Sequence, residues 1–160
     1  MRQPDLPLEH KATAVSALAA LFAAEHAIRD ALETKMKARC GLNNGQFQVL
    51  MALATAPQGQ LRMAEIAATN CISRSGVTQS VDRLEILGHV ERLTSRHDRR
   101  LVLAKITPTG LDLIPVGHQV FEDVATRFVA ERLSTRQSTN LLTALTTIVA
   151  MASDSIEDEP

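Results

Sequence analysis

Between Ile72 and Ile106 the chain gathers the residue types that contact a polyanion. Ser73, Arg74, Ser75, Thr78 and Gln79 crowd the start of a helical pattern, and Arg96, Asp98, Arg99 and Arg100 crowd a polar stretch further on. A serine ahead of a helical run is a good N-cap, because its oxygen accepts an amide that the first turn leaves unpaired; the helix is therefore expected to begin after Ser73. Hydroxyls and an amide at such a start reach phosphates or base edges, and the helix dipole favours a phosphate there. By reach, Arg74 and Gln79 are the base readers, while Ser73, Ser75 and Thr78 hold phosphates. Gly76 costs about 1 kcal/mol of helix propensity against alanine, which makes sense where a backbone must come close to a partner. Arginines at a hairpin tip contact phosphates or enter a minor groove. Arg83 reads two ways, as a phosphate contact or as the ion-pair partner of a nearby carboxylate. The chemistry points to double-stranded DNA held between a helix and a hairpin.

The elements that must position these residues are legible in the apolar spacing. Val77, Val81, Leu84 and Leu87 recur at helical intervals and Gly88 ends the run. Val90 to Leu93 and Leu101 to Ile106 are two short apolar or mixed runs joined by the polar, basic Thr94 to Arg100, a hairpin signal. Upstream, Met63 to Thr69 turns Ile66 and Ala67 inward and forms the first helix of a helix-turn-helix. Leu61 and Arg62 add a brief strand beside the hairpin.

The residues Ser73-Arg74-Ser75-Gly76-Val77-Thr78-Gln79-Ser80-Val81-Asp82-Arg83-Leu84-Glu85, then Gly88-His89-Val90-Glu91-Arg92, Asp98-Arg99-Arg100 and Thr107-Pro108-Thr109-Gly110 resemble the MarR (multiple antibiotic resistance regulator) family of bacterial winged helix-turn-helix repressors. With Leu42-Asn43-Asn44-Gly45-Gln46-Phe47 the resemblance covers roughly residues 42 to 110. It implies that Asp98 orients Arg100 and that Arg100 enters the minor groove, leaving Arg96 and Arg99 for phosphate or for Asp98 and its neighbours. A bare carboxylate at a DNA surface is repelled by phosphate, so bracing an arginine explains its presence.

At 160 residues the chain is long enough for one domain with a real core. The hydrophobic share is 45% but aromatic residues make up 2%, with no Trp or Tyr, so the core must be aliphatic and alanine-rich, which favours packed helices. A net charge of −1 gives no support to nucleic-acid binding by itself. Its distribution does: Ser73 to Lys105 holds seven basic residues against four acidic ones, a local excess of three positive charges on an otherwise acidic chain.

Two long helical stretches flank this module. Leu8 to about Arg39 lacks Pro and Gly and keeps Val15, Leu18, Phe22, Ile28, Leu32 and Met36 on an apolar face. At ~1.5 Å per residue it exceeds 40 Å, too long for one small domain to cover, so it is expected to pack on a second subunit. Gly41 stops it, and Asn43 with Gln46 forms a capping box for a short buried helix through Phe47, Leu50, Met51 and Ala54. After the hairpin, Thr107 caps a helix with Pro108 at its first position. That helix runs to about Leu133, and Pro115 forces either a kink or a separate first turn. Ser134 and Gln137 cap a last helix, carrying Leu141, Leu142, Leu145, Ile148 and Val149, which fades near Ser153 into an acidic tail.

The expected fold is therefore mainly α with a small β-hairpin wing. It forms one domain over 1–160, with a winged helix-turn-helix at 42–106 and dimerisation helices at 8–40 and 111–153. The expected function is a cytoplasmic homodimeric repressor that binds a pseudo-palindromic operator and is released by a small anionic or phenolic effector. His26 and Arg29, near the expected cleft, are the residues that could meet such a ligand. Release by oxidation of Cys40 is an alternative, as is a winged-helix protein-interaction module that never meets DNA. Cys40 and Cys71 read first as small apolar side chains. His10, His26 and His118 show no metal-ligand spacing. No G-x-S-x-G elbow, P-loop or H-E-x-x-H helix is present, so neither an enzyme nor a cofactor is expected, and no apolar run is long enough to span a membrane.

Overall fold

The computed structural model describes residues 7–70, 74–94 and 102–157, with backbone alone for Asn70, Arg74, Thr94 and 152–157. The chain divides into two compact units, Met1–Val120 and Phe121–Pro160. The first opens with α1, Leu8–Cys40, a helix of 33 residues whose stop is Gly41 in the left-handed region (φ 70°), its amide donating to the Lys37 carbonyl. Glycine suits that turn because a Cβ is penalised at positive φ. Asn43 then caps α2, Asn44–Thr55, and both halves of the capping box form: Gln46 N–H donates to Asn43 Oδ1 at 2.7 Å and Asn43 N–H to Gln46 Oε1 at 2.9 Å. The amide of Asn44 also donates to Glu33 Oε2 at 3.2 Å, which ties the start of α2 to α1.

Helix α2 is the centre of this unit. Phe47, Val49, Leu50 and Leu53 are fully buried, as are Ile66 of α3 (Met63–Asn70) and Val77, Val81 and Leu84 of α4 (Arg74–Ile86), helices that pack on α2 and on each other. Met51 and Ala54, expected inside, are only half-buried; Val49 and Leu53 take the inward positions. Leu87, expected on the α4 stripe, lies outside because the helix stops at Ile86. There the His89 amide bonds the Leu84 carbonyl and the Gly88 amide the Glu85 carbonyl, a left-handed stop with Gly88 at φ 77°.

The sheet has strand order β1-β3-β2, all antiparallel, from β1 (Gln60–Arg62), β2 (Val90–Thr94) and β3 (Val102–Ile106). The brief strand expected at Leu61-Arg62 is β1, in register with β3 as Leu61↔Ala104. After β3, Thr107 caps a single turn, α5 (Pro108–Leu111), and α6 (Leu113–Ala125) starts afresh beyond Asp112. Of the two outcomes expected of Pro115, the separate first turn is the one found. Pro115 then stands in the first turn of α6, where its missing amide has no intrahelical acceptor to lose.

In the second unit the helix does not run on unchanged to Leu133. It widens into a π turn, Thr126–Ala130, with the Glu131 amide reaching the Thr126 carbonyl at 2.9 Å. Ser134 and Gln137 cap α7, Thr135–Glu157, through Ser134 N–H to Gln137 Oε1 at 3.0 Å. The helix continues past Ser153, where it was expected to fade, to Glu157. Leu142, Ile148, Val149 and Met151 are exposed along it.

Candidate nucleic-acid interface

The outward face of α4 follows from its inward one. With Val77, Val81 and Leu84 buried, a rotation of ~100° per residue sends Ser75, Thr78, Gln79, Asp82 and Arg83 away from the core, and all five are exposed. The α4 N-terminus thus carries hydroxyls and an amide on its open side. Arg83 is exposed and forms no ion pair among the described residues. Ser73, the side chain of Arg74, and the hairpin-tip residues Arg96, Asp98, Arg99 and Arg100 lie outside the described residues, as does Cys71.

Gly76 is half-buried on α4 and borders a cleft of about 410 Å³, with Gln79 and Ser80 beside it and Glu33, Asn43 and Gln46 also lining it.

Beside α4 the wing is fixed by contacts that sequence reasoning missed. Arg92, on β2, sends Nη1 to Glu85 Oε2 at 2.8 Å and to Asp82 Oδ1 at 2.5 Å, with its own side chain 25% exposed. One guanidinium group thus spans two carboxylates a helical turn apart on α4. Across the hairpin, Lys105 Nζ pairs with Glu91 at 3.2 Å, at the register position Glu91↔Lys105. Both cations were counted as part of a basic patch; Arg92 is paired with carboxylates on α4 and Lys105 with one across the hairpin. Among the described residues of the patch, Arg83 is the cation that forms no ion pair.

The base of the wing is clasped as well. The Gly88 carbonyl accepts two hydroxyls, from Thr107 at 2.7 Å and Thr109 at 2.8 Å, and the Thr107 amide donates to the His89 carbonyl at 3.0 Å. Gly110 sits so close to that carbonyl that a Cβ would overlap it and lie 2.8 Å from Ile106 Cγ1. The Thr-Pro-Thr-Gly run therefore belongs to the mechanics of the wing: it ends β3, caps α5 and grips the turn that ends α4.

The geometry is that of a winged helix-turn-helix. The MarR family model matches residues 41–101. The regulator FarR of Neisseria gonorrhoeae is 30% identical over 132 residues, covering 80% of this chain and 87% of that protein. The chain belongs to the MarR family. PrsX, a helix-turn-helix-type transcriptional regulator of Escherichia coli, is 35% identical over 74 residues, or 46% of this chain; the match spans about half the length of that relative, 45% of it. Among solved structures, Sco3205 of Streptomyces coelicolor, a MarR family transcriptional regulator in complex with DNA, superposes with a TM-score of 0.79 at 25% identity, covering 95% of this chain and 92% of Sco3205.

The other residues singled out from the sequence lie on α1. His26 is exposed, and Arg29 is exposed with its guanidinium engaged by Glu25 one turn before it, Nε donating to Oε1 at 2.6 Å. Cys40 is half-buried at the end of the helix. Desolvation pushes its thiol pKa above the ordinary value, and the neighbouring Arg39 offsets only part of that. Among the described residues no group of three or more His, Cys, Asp or Glu is placed to hold a metal ion, and no helix is long and apolar enough to cross a membrane.

Proposed function

We propose that this chain is a homodimeric, sequence-specific DNA-binding transcriptional repressor that reads a pseudo-palindromic operator and is released by a small effector. The observation that carries the reading is the open polar face of α4, where Ser75, Thr78 and Gln79 are exposed on a helix whose opposite side is locked into the core and whose flank is tied to the wing. In this reading α4 enters the major groove. Arg74 and Gln79 read base edges, Ser73, Ser75 and Thr78 hold phosphates, and Arg83 reaches the backbone. At the wing tip Asp98 braces Arg100 in the minor groove while Arg96 and Arg99 serve phosphate. The relationship to FarR and PrsX, both transcriptional regulators, supports it, as does the DNA-bound state of Sco3205.

Dimerisation is supported by the surface of α1. Val15 (70% exposed), Leu18 (53%) and Phe22 (65%) lie along one side of a helix of 33 residues and bury little within their own unit. Two copies would place two α4 helices in successive major grooves, about 34–36 Å apart. Ligand release is favoured over oxidation by the state of Cys40, since the thiolate is the reactive form and burial disfavours it. An anionic effector aimed at His26 and Arg29 has to compete with Glu25 for the guanidinium. Selection of bound sequences from random duplex DNA tests the reading. Enrichment of an inverted repeat with half-sites one helical turn apart is expected; a pool that stays random refutes it in favour of a protein-interaction module.

A further inference from the structure

Two of the acidic residues closest to the polar face of α4 are not free carboxylates. Asp82 lies on the exposed side of the helix, in line with Thr78 and Gln79, where its charge would repel a phosphate backbone. Glu85 follows at the next turn. Both are held by one guanidinium, that of Arg92, from the first wing strand. The wing therefore touches α4 through its backbone turn at Gly88 and through this three-residue bridge. The turn lies just ahead of β2, and the bridge is made four residues beyond Gly88 along the strand.

We propose that Arg92 is a positioning residue for DNA recognition: by spanning Asp82 and Glu85 it sets the angle between α4 and the wing, and it masks two carboxylates that would otherwise face the phosphates. The proposal rests on the DNA-binding reading above. Its two parts make opposite demands on substitutions at the two ends of the bridge. Removing the arginine frees two negative charges and loosens the wing. Removing the carboxylates loosens the wing while making the face more positive. A residue that serves only to neutralise charge would be dispensable once Asp82 and Glu85 are neutral. A residue that sets geometry would not.

The test compares affinity for an enriched operator with affinity for a scrambled duplex of equal length, for the full-length wild type, Arg92→Ala, Arg92→Lys and the double variant Asp82→Asn with Glu85→Gln. Hydrogen exchange of the β2 and β3 amides is followed in the free proteins. Arg92→Ala is expected to weaken binding to both duplexes and to lower the operator-to-scrambled ratio by about three- to tenfold. The double variant is expected to bind scrambled duplex at least as tightly as the wild type, yet to lose the ratio to a similar extent and to exchange its wing amides faster. Arg92→Lys keeps the charge on a single ammonium without the planar fork and is expected to recover part of the ratio. A double variant that retains the wild-type ratio and wing protection overturns the positioning role. A wild type with no preference between the two duplexes overturns the DNA-binding reading itself, while the exchange data still report whether the bridge holds the wing.

Discussion

Replacing Gly117 by alanine sets two effects of opposite sign against each other. Gly117 is buried on α6, and on helix propensity alone the change should stabilise the protein by about 1 kcal/mol. Its surroundings say otherwise. A Cβ built on Gly117 would lie 2.6 Å from Cδ2 of Phe47 and closer still to Cε2 and Cζ. Carbon atoms in packed interiors sit about 3.5–4.0 Å apart, so ring or helix must retreat by at least about 1 Å. Phe47 is 1% exposed at the centre of the core and has no open space to enter. Overpacking of this kind costs about 1–3 kcal/mol, and displacing the ring approaches the 3–5 kcal/mol of losing a buried phenylalanine. The expected result is a net destabilisation of about 1–2 kcal/mol or more, read as a lower urea midpoint with unchanged slope at fixed protein concentration. The same substitution made with Phe47→Leu should cost much less, because the smaller side chain vacates the clash. A Gly117→Ala protein more stable than wild type would refute the packing argument.

Three further outcomes follow from the geometry. Gly110→Ala should destabilise the fold by about 1–3 kcal/mol, visible as a lower Tm, because the new methyl overlaps the His89 carbonyl; an unchanged Tm would mean that the wing base is looser than described. Leu18→Glu combined with Phe22→Glu should convert the dimer to monomer in light scattering while α-helical circular dichroism is largely kept, and an unchanged mass would remove α1 from the interface. Cys40 should react with iodoacetamide more slowly at pH 7 than an unperturbed thiol and speed up as the solution becomes alkaline. The linkage has a definite sign: with the folded pKa raised above the ordinary value of 9.0, Cys40 contributes stability below that value and loses it as pH rises through the folded pKa. Rapid alkylation at neutral pH would contradict this and revive oxidation as a signal.

What could be read from the sequence was local. The caps at Asn43, Thr107 and Ser134, the stops at Gly41 and Gly88, and the Val77, Val81, Leu84 stripe each depend on residues within a turn of one another, and each appears where spacing places it. Leu87 fits the same periodicity but lies beyond the last helical residue, so a period alone cannot place it. Arg92 is the instructive failure. As a letter in a basic stretch it counts toward DNA binding, but the hairpin folds it back onto Asp82 and Glu85, a contact made by tertiary structure and invisible to a charge count. Gly76, expected to let the backbone come close to a partner, borders the cleft lined also by Asn43 and Gln46. The π turn at Thr126–Ala130 has no sequence mark that distinguishes it from ordinary helix.

The central claim is that the open face of α4 reads DNA sequence. Its most direct test is the affinity of wild type and Gln79→Ala for an enriched operator and a scrambled duplex, measured across a range of salt concentrations. Wild-type affinity should fall steeply and linearly with the logarithm of salt concentration and should favour the operator. Gln79→Ala should lose about 1–3 kcal/mol on the operator, little on the scrambled duplex, and keep the same salt slope, because a base contact carries sequence while phosphate contacts carry salt dependence. Binding that is flat in salt, or a Gln79→Ala variant that discriminates as well as wild type, would contradict the assignment of α4 as the reading helix.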